Sequence, residues 1–329
     1  MRAAGCPRRS ASQVLIPPPL VSPPTPHPQG RIACCNVLSD LYAMGISSVD
    51  TMLMLLGVSS DMPAELRDPV TRELMRGFSD CAASAGTSCT GGQTVVNPWP
   101  IVGGVASVVA GEAEFVRPGG LRPGDVLVLT KPLGTQLAVN MWQRRDDPEK
   151  WARVAGVLSR EGAARAYDAA CAGMARLNAA AARLMAPHAA RGCTDVTGFG
   201  VLGHARNLAA HAQAPVRIVL SALPCIAGML AADAALGSPW RLAGGLSAET
   251  SGGLLIALPP ERVAGFCAAF AAASGGPAWV VGRVEAAPGG ERLPEAQAAV
   301  LAPEGELQLM EVEVQAPSLY DEHGVCRRA

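Results

Sequence analysis

Residues 30–45 read GRIACCNVLSDLYAMG, and the reading of this stretch organises everything around it. Ala33, Val37, Leu41 and Met44 recur at helical spacing and Gly45 supplies a stop, so the spacing predicts a helix over 32–44. Asn36, Ser39 and Asp40 line a different face of that helix. Asn36 one turn before Asp40 makes a polar pair unlike the Lys/Glu mixture of a solvated face. Upstream the character changes within one residue. The first 29 residues hold 8 of the 27 prolines and no Asp or Glu. Their PPP at 17–19 and PPTPHP at 23–28 forbid an amphipathic targeting helix, so 1–29 reads as a disordered, Pro-rich segment.

Downstream, Thr51–Val58 is a Met- and Leu-rich run without period, expected as a strand buried on both faces. A helix is expected from Pro63 to Ala85 with Asp61 as N-cap. Short strands are expected at Thr87–Thr90 and Val95–Trp99 around Gly91-Gly92, and another at Ile101–Val109. Gly119, Gly120, Pro123 and Gly124 place a domain boundary near residue 120. Beyond it come strand Asp125–Thr130, one long Ala-rich helix from Glu161 to Met185, helix Val196–His211, strand Val216–Leu220 and strand Leu254–Leu258. Helix Pro260–Ala273, strand Trp279–Val284 and a polar tail over 313–329 close the chain. The organisation is α+β: a first domain over 30–119 and a second domain over 120–312.

At 329 residues two domains are expected. The net charge of -1 gives no field that would draw nucleic acid or an anionic membrane. No apolar run approaches the roughly 20 residues needed to cross a bilayer. A soluble, cytoplasmic protein is expected. The ten cysteines include no Cys-x-x-Cys and do not pair with the five histidines at zinc spacing, so they read as reduced, buried small hydrophobes.

Four clusters carry the chemistry: NVLSD at 36–40, TGGQT at 90–94, TDVTGFG at 194–200 and ETSGG at 249–253. They supply carboxylates, hydroxyls and glycines, which a site for phosphate and a hard metal ion requires. Mg²⁺ takes oxygen ligands from one or two carboxylates plus phosphate, and glycine lets backbone N–H groups approach an anion. Each cluster also has a plain structural alternative. Asp40 reads as a surface charge, Gly91-Gly92 as a tight turn, Asp195 as a cap and Gly252-Gly253 as a strand entry. Neither a Walker A pattern nor a Rossmann GxGxxG occurs, and KPLGTQ at 131–136 has its Lys before the Gly.

Taken in order, GRIACCNVLSDLYAMG, DTMLMLLGVS, AGTSCTGGQTVVNPW, GDVLVLTKPLGTQ, TDVTGFGVLGHA and ETSGGLL resemble the selenophosphate synthetase (selenide, water dikinase) family from Gly30 to about Val312. The resemblance implies the two-domain fold of aminoimidazole ribonucleotide synthetase, dimerising through the first domain's sheet. It implies a phosphotransferase that makes selenophosphate, AMP and phosphate from ATP, selenide and water, with Mg²⁺ on the phosphates, for selenocysteine biosynthesis. By motif it makes Asp40 a ligand of Mg²⁺ and ATP, Gly91, Gly92, Gln93 and Thr94 the ATP-binding strand-turn, and Asp195 a second Mg²⁺ ligand. The departures lie upstream. No acidic residue precedes Asp40, no Lys precedes Lys131, and Cys6 is followed by Pro-Arg-Arg, so the family's Cys- or selenocysteine-Lys loop finds no match and no catalytic residue is assigned. The expectation is an incomplete first domain and impaired turnover. The alternative is a non-catalytic regulator that dimerises with a full-length relative.

Overall fold

The computed structural model describes residues 8–15 and 26–314. Strand β1 (Arg8–Leu15) runs antiparallel to β4 (Ile101–Val108), from Arg8 opposite Val108 to Leu15 opposite Ile101. Between them in sequence lie α1 (Pro26–Ala43), β2 (Thr51–Ser59), α2 (Ala64–Ser84) and β3 (Cys89–Asn97). The four strands form one sheet in the order β1-β4-β2-β3, with β3 parallel to β2 at the outer edge.

The disordered segment expected over 1–29 therefore contains a strand and the start of a helix. The Pro clusters fall outside RRSASQVL, which has no breaker and pairs with the edge that β4 offers. Pro26 and Pro28 sit in the first turn of α1, where their missing N–H groups have no intrahelical partner to lose. Residues 1–7, 16–25 and 315–329, which include Cys6 and most of the expected tail, lie outside the described residues.

Helices α1 and α2 cross backbone to backbone. A Cβ on Gly30 would lie 2.1 Å from the Leu74 carbonyl oxygen, and one on Gly77 1.9 Å from that of His27. Gly30 is thus a crossing point between helices. Strand β2 corrects an expectation: Leu53 and Leu55 are exposed while Met52, Met54 and Leu56 are buried, so only one face is covered. Helix α2 starts at Ala64 with Pro63 before it and no side-chain cap, so Asp61 does not cap it.

The second part carries β5 (Val126–Leu129), α3 (Thr135–Arg144), α4 (Pro148–Ala152), α5 (Arg160–Met174), α6 (Ala179–Met185) and β6 (Gly192–Asp195). There follow α7 (Gly200–Ala210), β7 (Val216–Leu220), β8 (Ala222–Ile226), α8 (Met229–Ala235), β9 (Leu254–Leu258) and α9 (Pro260–Ser274). Strand β10 (Trp279–Ala286), α10 (Glu295–Ala298), β11 (Ala299–Leu301) and β12 (Gln308–Val312) complete it. Six strands form a sheet in the order β11-β7-β10-β5-β9-β6, and β12 pairs with β8 in parallel.

Both faces of the six-stranded sheet are buried, and strand alternation assigns them. Leu127, Leu129, Leu255 and Ala257 join the core under α3, α5 and α7. Val128, Leu254, Ile256 and Leu258 point the other way, into one cluster with Val37, Leu38 and Leu41 of α1 and with Phe266 of α9. Helix α1 is thereby sandwiched between the two sheets.

The single helix expected over Glu161–Met185 is two, α5 and α6, broken at Arg176-Leu177-Asn178. The break leaves Asn178 buried with its amide Nδ2 donating to Ser39 Oγ at 3.1 Å and to the Gly252 carbonyl at 2.9 Å. Six of the eight described cysteines are buried and all are free, two of them, Cys35 and Cys81, with sulfurs 3.5 Å apart. No helix among the described residues is long and apolar enough to cross a membrane.

Candidate active site

The last turns of α1 carry three of its polar side chains toward the second sheet. Ser39 is buried, Asp40 on the same face is exposed, and the Asn36 side-chain oxygen accepts from the Ser251 N–H at 3.3 Å. Opposite them β6 ends at Asp195. Burial holds the Asp195 carboxyl above the usual range, opposed by a hydrogen bond with Ser39 and by the Lys131 ammonium. Two residues on, the Thr197 N–H donates to His204 Nε2 at 3.0 Å. That bond makes Nε2 an acceptor and leaves the imidazole neutral, with its proton on Nδ1. Burial pushes the His204 pKa down to about 4, and the nearby Asp40 charge works against that fall. Asp40, Asp195, Ser39 and His204 therefore form one cluster.

Close backbone approach explains the glycines around it. The ETSGG run passes between two neighbours. A Cβ on Gly252 would stand 2.1 Å from the Val196 carbonyl oxygen, and one on Gly253 2.4 Å from the Lys131 nitrogen. Ser251, at φ 47°, takes a left-handed conformation unusual for a non-glycine residue. Lys131 is buried, donating to the carbonyls of Arg176 at 2.7 Å and Ser251 at 2.9 Å, and desolvation lowers its pKa to about 7.

Glu249 occupies the start of α3. Its carboxylate accepts from the Gly134 N–H at 2.6 Å, from the Thr135 N–H at 2.9 Å and from the Thr135 hydroxyl. Burial raises its pKa to about 7 against those three donors. The N-terminus of α3, a natural seat for a phosphate, is thus filled by a side chain of the chain itself. The KPLGTQ segment is packing architecture around the cluster.

Gly91, Gly92, Gln93 and Thr94 stand elsewhere. They lie within one continuous strand, β3, where two short strands around a turn were expected, opposite Leu53, Met54, Leu55 and Leu56 of β2. A register shift between Met52 and Leu53 leaves Thr90 as the extra residue, and Gly92 has room for no Cβ beside the Met54 carbonyl, 1.8 Å away. All four are exposed, on the outer edge of the first sheet and in contact with β2, away from Asp40 and Asp195.

The carboxylates of Asp40 and Asp195, with the Ser39 hydroxyl, are hard oxygen donors of the kind Mg²⁺ takes alongside phosphate oxygens. A reading of the sequence singles out the segments that hold Lys131, His204 and Glu249 without assigning those residues a role, and it misses Asn178 altogether. A lone Lys before Pro or an Asn in an Ala-rich run carries no pattern, because their partners lie tens of residues away.

Two family models match the chain. These are the AIR synthase related protein N-terminal domain over residues 12–110 and the AIR synthase related protein C-terminal domain over 122–293. The chain is 52% identical over 274 residues to selenide, water dikinase 3 of Danio rerio, covering 79% of this chain and 61% of that protein. It is 50% identical over 262 residues to selenide, water dikinase of Trypanosoma brucei brucei, covering 79% and 67%. With human selenide, water dikinase 2 the identity is 54% over 263 residues, covering 79% and 58%. The chain thus spans about three fifths to two thirds of the length of these relatives.

Solved structures share the fold. The hydrogenase maturation protein HypE in complex with ATP superposes with a TM-score of 0.68 at 16% identity, covering 97% of this chain and 88% of that one. Thiamine monophosphate kinase from Aquifex aeolicus gives 0.64 at 17% identity, covering 92% and 89%.

Proposed function

The chain belongs to the selenide, water dikinase family, and from that premise we propose that it takes part in making selenophosphate from selenide, ATP and water. The observation that supports the reading is the hydrogen bond between Ser39, next to Asp40 on α1, and the Asp195 carboxyl at the end of β6. A polyphosphate bridged by Mg²⁺ needs carboxylates from more than one chain segment, because neutralising charge on the transferring phosphoryl group is most of the catalysis. Asp40 and Asp195 would hold a Mg²⁺ ion, which would supply that neutralisation. Ser39, itself held by the Asn178 amide, hydrogen-bonds the Asp195 carboxyl, and His204 is a neutral hydrogen-bonding neighbour.

The strand Gly91–Thr94 is proposed to act in a dimer. Within one chain it lies apart from the carboxylate cluster, and among the described residues β3 is an edge strand with Val95 and Val96 exposed. A second copy joined through this sheet would bring an ATP-binding strand to the assembly. The same edge supports the second reading, a non-catalytic regulator that dimerises with a full-length relative.

The test is calorimetric titration with MgATP followed by an assay of selenide-dependent AMP formation. Under the dikinase reading MgATP binds, Asp195→Asn weakens it at least tenfold, and AMP forms. Low turnover by the chain alone is the expected outcome, raised on mixing with an intact relative if the chain regulates. MgATP binding unaltered by both Asp40→Asn and Asp195→Asn would refute the assignment of the site.

A further inference from the structure

A cavity of about 330 Å³ opens where the start of α1, the end of α2, the α5–α6 break and the end of α9 meet. Arg31, Arg176 and Arg183 line it, and no Asp or Glu does. Among the described residues no carboxylate pairs with any of the three; the ion pairs of this region go elsewhere. Asp80, the carboxylate whose charge Arg31 influences, is held by His27 at 2.8 Å and by Arg76 at 3.9 Å.

Arg176 is a built part of this wall. Its Nη2 donates to the Thr130 carbonyl at 3.0 Å, while its own carbonyl accepts from Lys131 Nζ at 2.7 Å. One edge of its fork is thus anchored. Three like charges around one cavity repel, and a tetrahedral oxyanion relieves that repulsion by taking charge-assisted hydrogen bonds from planar guanidinium edges.

We propose that this cavity is a binding site for a small inorganic oxyanion of the phosphate class, separate from the Asp40–Asp195 site. The short linker Ala175–Asn178 forms its floor, and Asn178 at the end of that linker bonds Ser39 and Gly252. An occupied cavity therefore braces the same amide that positions the carboxylate cluster. The assignment goes beyond the proposed dikinase reading and does not depend on it.

The experiment is titration of the full chain with inorganic phosphate, with EDTA present and ionic strength held constant by chloride, read by calorimetry and by thermal midpoint. Saturable one-site binding with a rise in midpoint is expected. Arg183, at the exposed rim, gives the informative variant, because Arg183→Gln removes a charge from the cavity without touching the core. It should weaken phosphate at least tenfold, whereas Asp40→Asn should leave phosphate binding unaltered. Arg31→Gln is the second variant, with the same expected loss. Non-saturable binding, or affinity retained in both Arg variants, would overturn the proposal, as would a loss confined to Asp40→Asn.

Discussion

Replacing Glu249 with Gln should make the protein's stability respond differently to pH. The carboxyl lies at the start of α3 under two N–H groups and one hydroxyl, which favour the charged form, yet burial dominates and lifts its pKa from 4.5 to about 7. In the unfolded chain the group keeps its ordinary pKa. Between pH 4.5 and 7 the folded state therefore holds more protons than the unfolded state, and stability falls as pH rises through that window. A rise of this size corresponds to about 3 kcal/mol, present in full below pH 4.5 and lost above pH 7. Gln has nearly the same shape and does not titrate. Equilibrium urea unfolding of wild type and Glu249→Gln at pH 4.5, 6 and 7.5 should show the variant gaining about 3 kcal/mol relative to wild type across the range. Lys131, lowered to about 7 by desolvation, adds stability as pH rises from there toward 10.5, but it titrates in both proteins and cancels in the difference. A flat difference would refute the reasoning, since the three donors would then offset burial completely.

Four further outcomes can be checked by simpler means. Gly77→Ala should destabilise by about 1–3 kcal/mol through overpacking at the α1–α2 crossing, where its Cβ would meet the His27 carbonyl at 1.9 Å. Gly173→Ala in α5, where nothing lies within 4 Å, should stabilise by up to about 1 kcal/mol; urea midpoints compare the two. Asn178→Ala should cost about 1–3 kcal/mol, because Gly252 and Ser39 lose a buried donor, and calorimetry should show weaker MgATP binding with it. In the proposed dimer through β3, Val96→Lys on the exposed edge strand should move the species in sedimentation velocity to monomer with little change in melting temperature.

Much of this chain is legible without coordinates. Local periodicity specifies α1, because apolar residues three and four apart share one helical face, and the blocks around Asp40 and Asp195 carry the family and the two carboxylates proposed as metal ligands. Glycines at 91–92 and 252–253 announce that backbone must pass close to something. Tertiary structure decided what that something is: Met54 for Gly92, Val196 for Gly252 and Lys131 for Gly253. It also broke the Ala-rich helix at Asn178, whose partners at 39 and 252 are far off in sequence, and drew a strand from residues 8–15 by giving them the edge of β4 to pair with. Propensity is a property of neighbours in the chain and can be read from it. Burial, charge neutralisation and the pairing of polar groups belong to neighbours in space, so Glu249 as a buried cap, Lys131 as a buried donor and the arginine-lined cavity exist only once the two sheets have closed on α1.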